Sequence, residues 1–407
     1  MKNCKLLSLL LVILMILSFT ACSKQNEATP EAAEEVTAPS VSETEPEATE
    51  AETDKLNWAP SRTYNLDEES KVKNIILLIG DGMGENIILN SEIVKGSPLS
   101  MQNMPYSCYV GTDSLDGTTD SAAASTALSC GVKTKNQYIG VDENAESVET
   151  IIEFCKAKNM KAGLVATHLI PHATPAGMVA HANYRGLYNV ILRHMIGANV
   201  EVLLGGGTEY TETKKMETRI KDAGYTYVKT SEELQAVKDA EKLMGAFSYA
   251  DMNADWNPSL TTMASKALEL LEGDDGFFLM VEASHVDIYE ANMDMNGTIN
   301  EMQAFDKCID YVLSWAEEHP GTLVIVTADH ETGGVILPES GKAEDVTDTL
   351  FTSEGEHTST DVKLFAAGAQ AGKLFTEEKI ENTDVAKIMR KALNESYGEN
   401  EVVLLNQ

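Results

Sequence analysis

Short, continuously apolar segments recur along the chain from about residue 72 onward, and each is followed by polar or small residues and then by a stretch with helical spacing. Six of these segments are predicted as strands: NIILLIG (74–80), AGLVAT (162–167), VEVLLGG (200–206), GFFLMV (276–281), TLVIVTA (322–328) and VKLFAAG (362–368). Because their apolarity is continuous instead of alternating, we expect them to be buried on both faces, as in a mostly parallel sheet covered by helices.

Apolar positions spaced three or four residues apart predict helices between these strands. The candidates are VETIIEFCKAKN (148–159), SEELQAVKDAEKLM (231–244), SLTTMASKALELLEG (259–273) and INEMQAFDKCIDYVLSWAEE (299–318). Strands and helices that alternate in this way predict the α/β class, here a three-layer α/β/α sandwich with a mostly parallel central sheet.

Acids and histidines follow four of the predicted strands. Asp81 follows the first strand and His168 the second, the segment 282–287 follows the fourth, and Asp329 and His330 follow the fifth. Ligands of such sheets bind beyond the carboxyl ends of the strands. Any one of these residues could be a helix cap or a loop residue, but together they predict a site for cations such as Zn²⁺ and Mg²⁺.

The amino-terminal segment differs from everything after it. Residues 1–21 have a short basic start and an apolar run from Leu6 to Phe19, which is typical of an export signal. Cys22 follows small residues and resembles the lipidated cysteine of a bacterial lipoprotein. A single transmembrane anchor is the alternative, although the run is shorter than the roughly 20 residues that span a bilayer. We therefore predict an exported protein that is anchored at the cell-surface membrane through Cys22.

Residues 22–70 consist largely of Glu, Ala, Thr, Pro and Ser, and we predict that they form a disordered acidic tether. The remaining residues, 71–407, are predicted to form one domain. The formal net charge of −33 argues against binding to nucleic acid, because such proteins need Lys and Arg to neutralise phosphates.

Four cysteines lie in the predicted domain, and their spacing does not match a metal site. They are Cys108, Cys130, Cys155 and Cys308. In an exported protein they are compatible both with buried free thiols and with one or two disulfides.

The segment TTDSAAASTALSCGVKT (118–134) places Asp120 and Ser121 at the start of an Ala-rich helix. One interpretation is a helix cap followed by a small-residue helix that packs closely on the sheet. The other is a nucleophilic serine at the positive end of a helix dipole, where a metal ion would help to form the alkoxide that attacks phosphorus.

Several segments resemble those of the alkaline phosphatase family and occur in the same order. TTDSAAASTALSCGVKT resembles the nucleophile segment, IGDGMG (79–84) the first metal-ligand strand and PHATPAGMVAHANYR (171–185) the arginine segment. VTADHETGG (326–334) and GEHT (355–358) resemble the later ligand segments, and LMGAFSYADMN (243–253) resembles family sequence without a known ligand. The resemblance extends from about Val72 to near the carboxyl terminus. It implies a metal-dependent phosphomonoester hydrolase that acts through a phosphoserine and releases inorganic phosphate at the cell surface.

By position, the resemblance implies that Ser121 becomes transiently phosphorylated and that Arg185 clamps two phosphate oxygens through its planar fork. It also implies that Asp81, Asp329 and His330 hold the Zn²⁺ that is bound to the serine oxygen.

A Mg²⁺ site is implied at Asp81, Thr174 and Glu282. His172 stands at a position that is Asp in some members of the family and His in others. Because imidazole is a poorer ligand for Mg²⁺ than carboxylate, we expect this site to prefer another ion or to bind weakly.

A second Zn²⁺ is implied at Asp287, His357 and a histidine four residues after Asp287, but that last position is Ala291. Glu290 shares the helical face of Asp287, and we hypothesise that it supplies an oxygen ligand instead. His285 would reach the ion only from an irregular segment. The third hypothesis is a depleted site with weak metal binding and low or altered activity.

Two other functions stay open at this point. One is a phosphodiesterase or sulfatase of the wider superfamily, although a sulfatase would need Cys at the position of Ser121. The other is a surface protein that binds phosphate or metal with weak or no turnover. The expected partners are small phosphate monoesters and the lipid bilayer, with a homodimer possible because the family often forms dimers.

Overall fold

The computed structural model describes residues 62–398. The export signal, Cys22 and most of the predicted tether lie outside these residues, so the inferences about them stay predictions. Within the described part of the chain, no helix combines the length and the apolarity needed to cross a bilayer.

Most of the strands belong to one sheet, which contains ten of them in the order β12-β2-β11-β8-β1-β7-β3-β4-β6-β5. The strands are β1 Asn74–Gly80, β2 Tyr106–Gly111, β3 Lys161–Leu169, β4 Val202–Gly206, β5 Thr226–Val228, β6 Leu243–Ala246, β7 Phe277–Ala283, β8 Thr322–Ala328, β9 Glu331–Thr332, β10 His357–Thr358, β11 Val362–Gly368 and β12 Lys379–Glu381. All neighbours in the sheet are parallel except β11, which is antiparallel to β2 and β8. Strands β9 and β10 form a separate antiparallel pair.

The α-helices lie between and after these strands. They are α1 Glu85–Lys95, α2 Ser121–Cys130, α3 Ile151–Lys156, α4 Ala173–Gly177, α5 Tyr188–Gly197, α6 Thr208–Thr211, α7 Lys214–Asp222, α8 Ser231–Ala236, α9 Leu260–Leu271, α10 His285–Ala291, α11 Met295–Glu317, α12 Ala371–Leu374 and α13 Asn382–Tyr397. Three short 3-10 segments accompany them at Ser100–Asn103, Ala343–Asp345 and Asp348–Leu350.

The helices form two groups, and the central strands lie between them. Helices α2, α4 and α13 pack together, as do α1, α9 and α11, and β7 contacts members of both groups. Every residue of β1, β7 and β8 is buried. Each Ile, Leu or Val removed from water in this way stabilises the fold by about 1.5–3 kcal/mol. The predicted α/β sandwich with a mostly parallel sheet is confirmed.

All six predicted strands are present, and β1, β8 and β11 have the predicted bounds. The strands that the apolar pattern missed include β2, β5 and β12, which are short and partly exposed. The predicted helix over 231–244 was wrong in its second half. Helix α8 ends at Ala236, and Leu243–Ala246 forms β6 because its backbone pairs with β4 and β5.

The tether prediction extended too far. Residues 62–70 lie against the domain: Arg62 is paired with Asp310 and Glu317, and the Tyr64 hydroxyl donates to Asp310 over 2.7 Å. Leu66 packs against the core. These long-range contacts offset the ordering entropy that the composition of the segment could not offset alone.

The four cysteines of the domain are buried free thiols. Of the two possibilities that the sequence left open, the structure therefore shows the thiols and not the disulfides.

Helix α2 is entirely buried, and its small residues make this possible. The side chain of Asp120 caps it by accepting a hydrogen bond from the amide of Ala123, over 2.9 Å. Helix α4 approaches so closely that a Cβ placed on Gly177 would lie 2.2 Å from Oγ of Ser125. The helix is therefore capped and closely packed, with Ser121 as its first residue, and the nucleophilic role of Ser121 stays a prediction.

Candidate metal and phosphate site

The candidate ligands meet at the carboxyl ends of β1, β7 and β8. In the parallel register Ile79 pairs with Glu282 and Gly80 with Ala328, so that Asp81, Glu282 and Asp329 project from one edge of the sheet. All three carboxylates are at most 2% exposed. A patch of buried acids at one edge is what the strand endings predicted.

Three groups of side chains among the described residues place their ligand atoms within 4.8 Å of one another. Asp81, Asp329 and His330 form the first group, which we name the serine-side group. Asp81, His172 and Glu282 form the second, named the inner group. Asp287, His330 and His357 form the third, named the outer group. Asp81 and His330 are each shared by two groups.

Several buried oxygens of these residues have no hydrogen-bond partner. They are Oδ1 of Asp81, Oδ2 of Asp329 and both carboxylate oxygens of Glu282, and the hydroxyl of Thr174 is likewise unpartnered. Unpartnered buried acids are costly unless a cation or a proton compensates them. The donor set, mostly carboxylate with imidazole, suits Zn²⁺ and Mg²⁺, so the residues fit the ions that the sequence predicted.

The pKa values of these acids also indicate that their negative charges are not compensated by neighbouring protein groups. Burial, and then the charges of Asp329, Asp287 and Glu282, raise the pKa of Asp81 well above its ordinary value. Burial and the charge of Asp329 raise the pKa of Glu282 to about 8. In the absence of a cation, these carboxylates cannot all be ionised at neutral pH.

The hydroxyl of Thr332 orders the protons around His330. It donates to Oδ1 of Asp287 over 2.7 Å and lies 3.2 Å from Nδ1 of His330. Since its single proton goes to Asp287, the hydroxyl accepts from Nδ1–H of His330, and Nε2 of that ring is left unprotonated.

Nε2 of His330 faces three oxygens. It lies 3.4 Å from Oδ1 of Asp81, 3.3 Å from Oδ2 of Asp329 and 3.4 Å from Oγ of Ser121. Burial lowers the pKa of His330, so the ring stays neutral. A nitrogen lone pair that faces two carboxylates is repelled by them unless a cation lies between, which is the arrangement expected of metal ligands.

Arg185 is held beside Ser121 by two partners. Its Nη1 donates to Oδ2 of Asp120 over 3.1 Å, and its Nη2 lies 3.1 Å from Nε2 of His172. Burial, and then the neighbouring His168 and Arg185, lower the pKa of His172 well below its ordinary value, so its ring is neutral and Nε2 accepts. The guanidinium is therefore oriented before any ligand arrives.

Asp287 and His357 form an ion pair. Nε2 of His357 lies 3.5 Å from Oδ1 of Asp287, and Nδ1 donates to the carbonyl of Thr119 over 2.9 Å. Burial alone would lower the pKa of His357, but Asp287 and the carbonyl raise it to about 9. Burial likewise opposes ionisation of Asp287, yet His357, His330 and Thr332 hold its pKa well below the usual range.

Glu290 does not join any of the three groups. Its carboxylate is buried and unpartnered but turns under the backbone of Gly82, where an added Cβ would lie 2.5 Å from Oε2. Burial and the charges of Asp287, Glu331 and Asp329 raise its pKa well above the ordinary value. The structure therefore does not place Glu290 within 4.8 Å of all three ligand atoms of the outer group, and its role as a ligand stays a prediction.

His285 also lies apart from the three groups. Its Nε2 points to Asp251, 3.6 Å away, and its ring lies 6.3 Å from that of His168. The segment is a regular helix at this point, so the irregular conformation that would have brought His285 to the ion is absent from the described residues. His168 itself stacks on His172 with ring centres 4.2 Å apart, a contact that the sequence did not reveal.

Thr332 is the functional residue that the sequence analysis overlooked. It lies two positions after His330 in the segment VTADHETGG, so the segment was noted but the hydroxyl was not. His330 lies between β8 and β9, so no strand periodicity linked the two residues, and only the folded backbone brings the hydroxyl to the ring.

Known proteins resemble this chain over most of its length. A family model for alkaline phosphatase matches residues 72–343. Alkaline phosphatase 4 of Bacillus subtilis is 34% identical over 68% of this chain, which spans 65% of that relative's length. Alkaline phosphatase H of Pseudomonas aeruginosa is 30% identical, with 80% of this chain and 86% of the relative covered.

A solved structure gives the same result. The alkaline phosphatase of the Antarctic bacterium TAB5 superimposes with a TM-score of 0.74 at 30% identity, covering 81% of this chain and all of the other. A variant of that protein, in which a histidine is replaced by aspartate, holds Mg in a site called M3.

Proposed function

The chain belongs to the alkaline phosphatase family, and from this premise we propose that it hydrolyses phosphate monoesters through a phosphoserine at Ser121 and releases inorganic phosphate. The observation that carries the proposal is the position of the Ser121 hydroxyl. It lies at the first turn of α2, 3.4 Å from Nε2 of His330, beside an arginine that is already oriented.

The reaction consists of two displacements at phosphorus. Oγ of Ser121 forms a bond to phosphorus while the bond from phosphorus to the ester oxygen breaks, and the alcohol leaves after taking a proton. Water then attacks the phosphoserine, the bond from phosphorus to Oγ breaks, and phosphate leaves. The overall reaction consumes one water for each ester.

Three features of this chain bind and orient the phosphoryl group. The amino terminus of α2, ten residues long, directs backbone N–H groups and the positive end of its dipole toward it. Arg185, fixed by Asp120 and His172, offers its remaining N–H groups to two oxygens. Nε2 of His330 lies 3.4 Å from Oγ of Ser121, and Oδ1 of Asp81 lies 3.4 Å from the same nitrogen.

The metal ions would be held by the three groups of ligands. We propose Zn²⁺ in the serine-side and outer groups, and Mg²⁺ or a softer ion in the inner group, where His172 replaces a carboxylate. When bound, the ions neutralise charge on the attacking and leaving oxygens and ionise water. The Mg-bound M3 site of the TAB5 variant supports a metal in the inner group.

The test is hydrolysis of p-nitrophenyl phosphate together with trapping of the phosphoenzyme. Wild-type protein should release p-nitrophenol and, when quenched in acid, yield a peptide phosphorylated at Ser121 by mass spectrometry. Ser121→Ala should abolish both signals, while Ser125→Ala, in the same helix, should keep the phosphopeptide. A phosphopeptide mapping elsewhere, or turnover that survives Ser121→Ala, would disprove the proposal.

A second candidate is a surface protein that binds phosphate or metal with little turnover. It is favoured by one observation, the presence of Ala291 beside the outer group. The same experiment separates the two functions, since a binding protein would retain phosphate in equilibrium dialysis and show neither p-nitrophenol release nor phosphoserine.

We also propose that the protein is exported and anchored through a lipid on Cys22. Residues 66–73 lie where β1 and β8 begin, at the edge of the sheet opposite the ligands. A lipid anchor that precedes them would therefore leave the metal and phosphate site accessible, which supports the proposal. Radiolabelled palmitate should label the wild-type chain in the membrane fraction and not Cys22→Ala. A homodimer is a further proposal, which light scattering of the purified protein would test.

A further inference from the structure

The three ligand groups together have one imidazole ligand too few, because His330 is counted in two of them. His330 belongs to both the serine-side and the outer group, but only one of its ring nitrogens has a free lone pair. Nδ1–H is used by the hydroxyl of Thr332, and Nε2 points to Asp81 and Asp329. An imidazole nitrogen donates its lone pair to one ion, so the outer group has only Asp287 and His357 for itself.

The neighbouring side chains do not supply a third ligand in this structure. Glu290 is one helical turn from Asp287, but its carboxylate approaches Gly82 and does not come within 4.8 Å of all the ligand atoms of the outer group. Ala291 is the next residue on the same helical face and carries only a methyl group. It is exposed, so this corner of the group is open to solvent.

Position 291 is also adjacent to the loop that delivers His357. A Cβ added at Gly355 would lie 2.3 Å from the carbonyl of Ala291, so the loop before β10 rests on the end of α10. Position 291 is four residues after Asp287, so a side chain with a donor atom there would share the helical face of Asp287, whereas one at Asn292 would leave α10 in another direction.

We infer that the Asp287–His357 pair is an open metal position with only two protein ligands of its own, and that it fills and empties with the free metal concentration. The serine-side group has two carboxylates and Nε2 of His330, and the inner group has two carboxylates and the unpartnered hydroxyl of Thr174. Both groups are more deeply buried than the outer group, so they retain their ions. This inference rests on the proposed function, because it makes occupancy of the outer group the regulator of that hydrolysis.

Zinc binding to the metal-stripped full chain tests the inference. The protein is dialysed against buffered free Zn²⁺ from about picomolar to micromolar, and bound zinc is counted by mass spectrometry. We expect two equivalents to bind in one range and a third at a free concentration roughly 100-fold higher or more. Three equivalents that bind together would overturn the inference.

Substitutions then locate the third equivalent. Ala291→His should shift its binding to a free zinc concentration about 10- to 100-fold lower, and the matched control Asn292→His should not. Asp287→Asn should remove it alone. If Ala291→His leaves the third step in place, or if Glu290→Gln removes that step, the open position is disproved.

Two controls distinguish failure of this inference from misfolding of a variant and from failure of the proposed hydrolysis. The first two zinc steps report folding, and if Ala291→His loses them, Ala291→Cys takes its place and is judged by the same shift. Zinc counting does not depend on turnover. A two-step zinc curve without phosphoserine would disprove the proposed hydrolysis only, whereas a single-step curve with normal turnover would disprove only this inference.

Discussion

The hydroxyl of Thr332 lies 2.7 Å from Oδ1 of Asp287 and 3.2 Å from Nδ1 of His330, and so it joins a ligand of the outer group to a ligand of the serine-side group. Through these two hydrogen bonds it adds to the stabilisation of ionised Asp287 by His357 and His330, and it leaves Nε2 of His330 unprotonated. Both are the states in which the side chains can bind a cation.

Removal of this hydroxyl should weaken metal binding. Thr332→Val keeps the shape of the side chain but leaves the Nδ1–H of His330 without its acceptor. We expect zinc affinity to fall about 10- to 100-fold, as measured by competition with a chelator. Thr332→Ser retains the hydroxyl and should bind almost as the wild type does. Equal affinities for all three proteins would show that the hydroxyl does not order these ligands.

Metal removal should make stability depend on pH. Burial and neighbouring charges raise the pKa of Asp81, and burial with Asp329 raises that of Glu282 to about 8. The folded apoprotein therefore binds more protons than the unfolded chain between the ordinary carboxyl pKa and about 8, so its stability falls as the pH rises through that window.

Thermal unfolding measures whether the stability of the apoprotein falls or rises with pH. With EDTA, the midpoint should be lower at about pH 8.5 than at about pH 7, a window above the ordinary pKa of histidine, and saturating Zn²⁺ should reduce this difference. An apoprotein that is equally stable at both values, or more stable at the higher one, would contradict the crowding of uncompensated carboxylates.

Gly82 should resist substitution because of its neighbours and not only because of its backbone. It has φ of 77°, and an added Cβ would lie 2.5 Å from Oε2 of Glu290. Gly96 has φ of 71° with open space around it, and so provides the matched control. Each change to Ala should cost about 1–2 kcal/mol through the left-handed backbone.

Only Gly82→Ala should cost more than this, and it should also reduce hydrolysis, because the turn sets the position of Asp81. Urea unfolding and p-nitrophenyl phosphate assays measure the two effects. Equal losses of stability in the two variants would mean that Glu290 moves away without cost.

Arg185 should not be replaceable by Lys. A single ammonium cannot contact Asp120, His172 and two phosphate oxygens at once, so Arg185→Lys should lower kcat/KM on the order of 10²-fold. Inorganic phosphate should inhibit the variant more weakly. Arg193→Lys, on the exposed side of α5, is the control and should match the wild type, since among residues 62–398 its guanidinium donates to the carbonyl of Asn189 alone. A normal kcat/KM for Arg185→Lys would exclude the two-oxygen clamp.

Local patterns in the sequence were sufficient for the centre of the molecule. The strands β1, β8 and β11 were predicted residue for residue, because each is a buried run whose apolar side chains are contiguous in the chain. Asp81, Asp329 and His330 were predicted as neighbours for the same reason, since the ends of adjacent parallel strands meet at one edge. The edge strand β12 and its neighbour β2 were missed because many of their side chains face solvent.

The sequence by itself therefore determined the α/β class, the edge that carries the ligands, the serine at the start of α2 and the missing histidine at position 291. Only the tertiary structure decided that Glu290 turns under Gly82, that Thr332 connects Asp287 to His330, and that one ring of His330 is shared by two groups. The physical reason is range: periodicity and strand order act along the backbone, whereas a side-chain rotamer and a shared lone pair depend on residues that are distant in the chain and meet only in the fold.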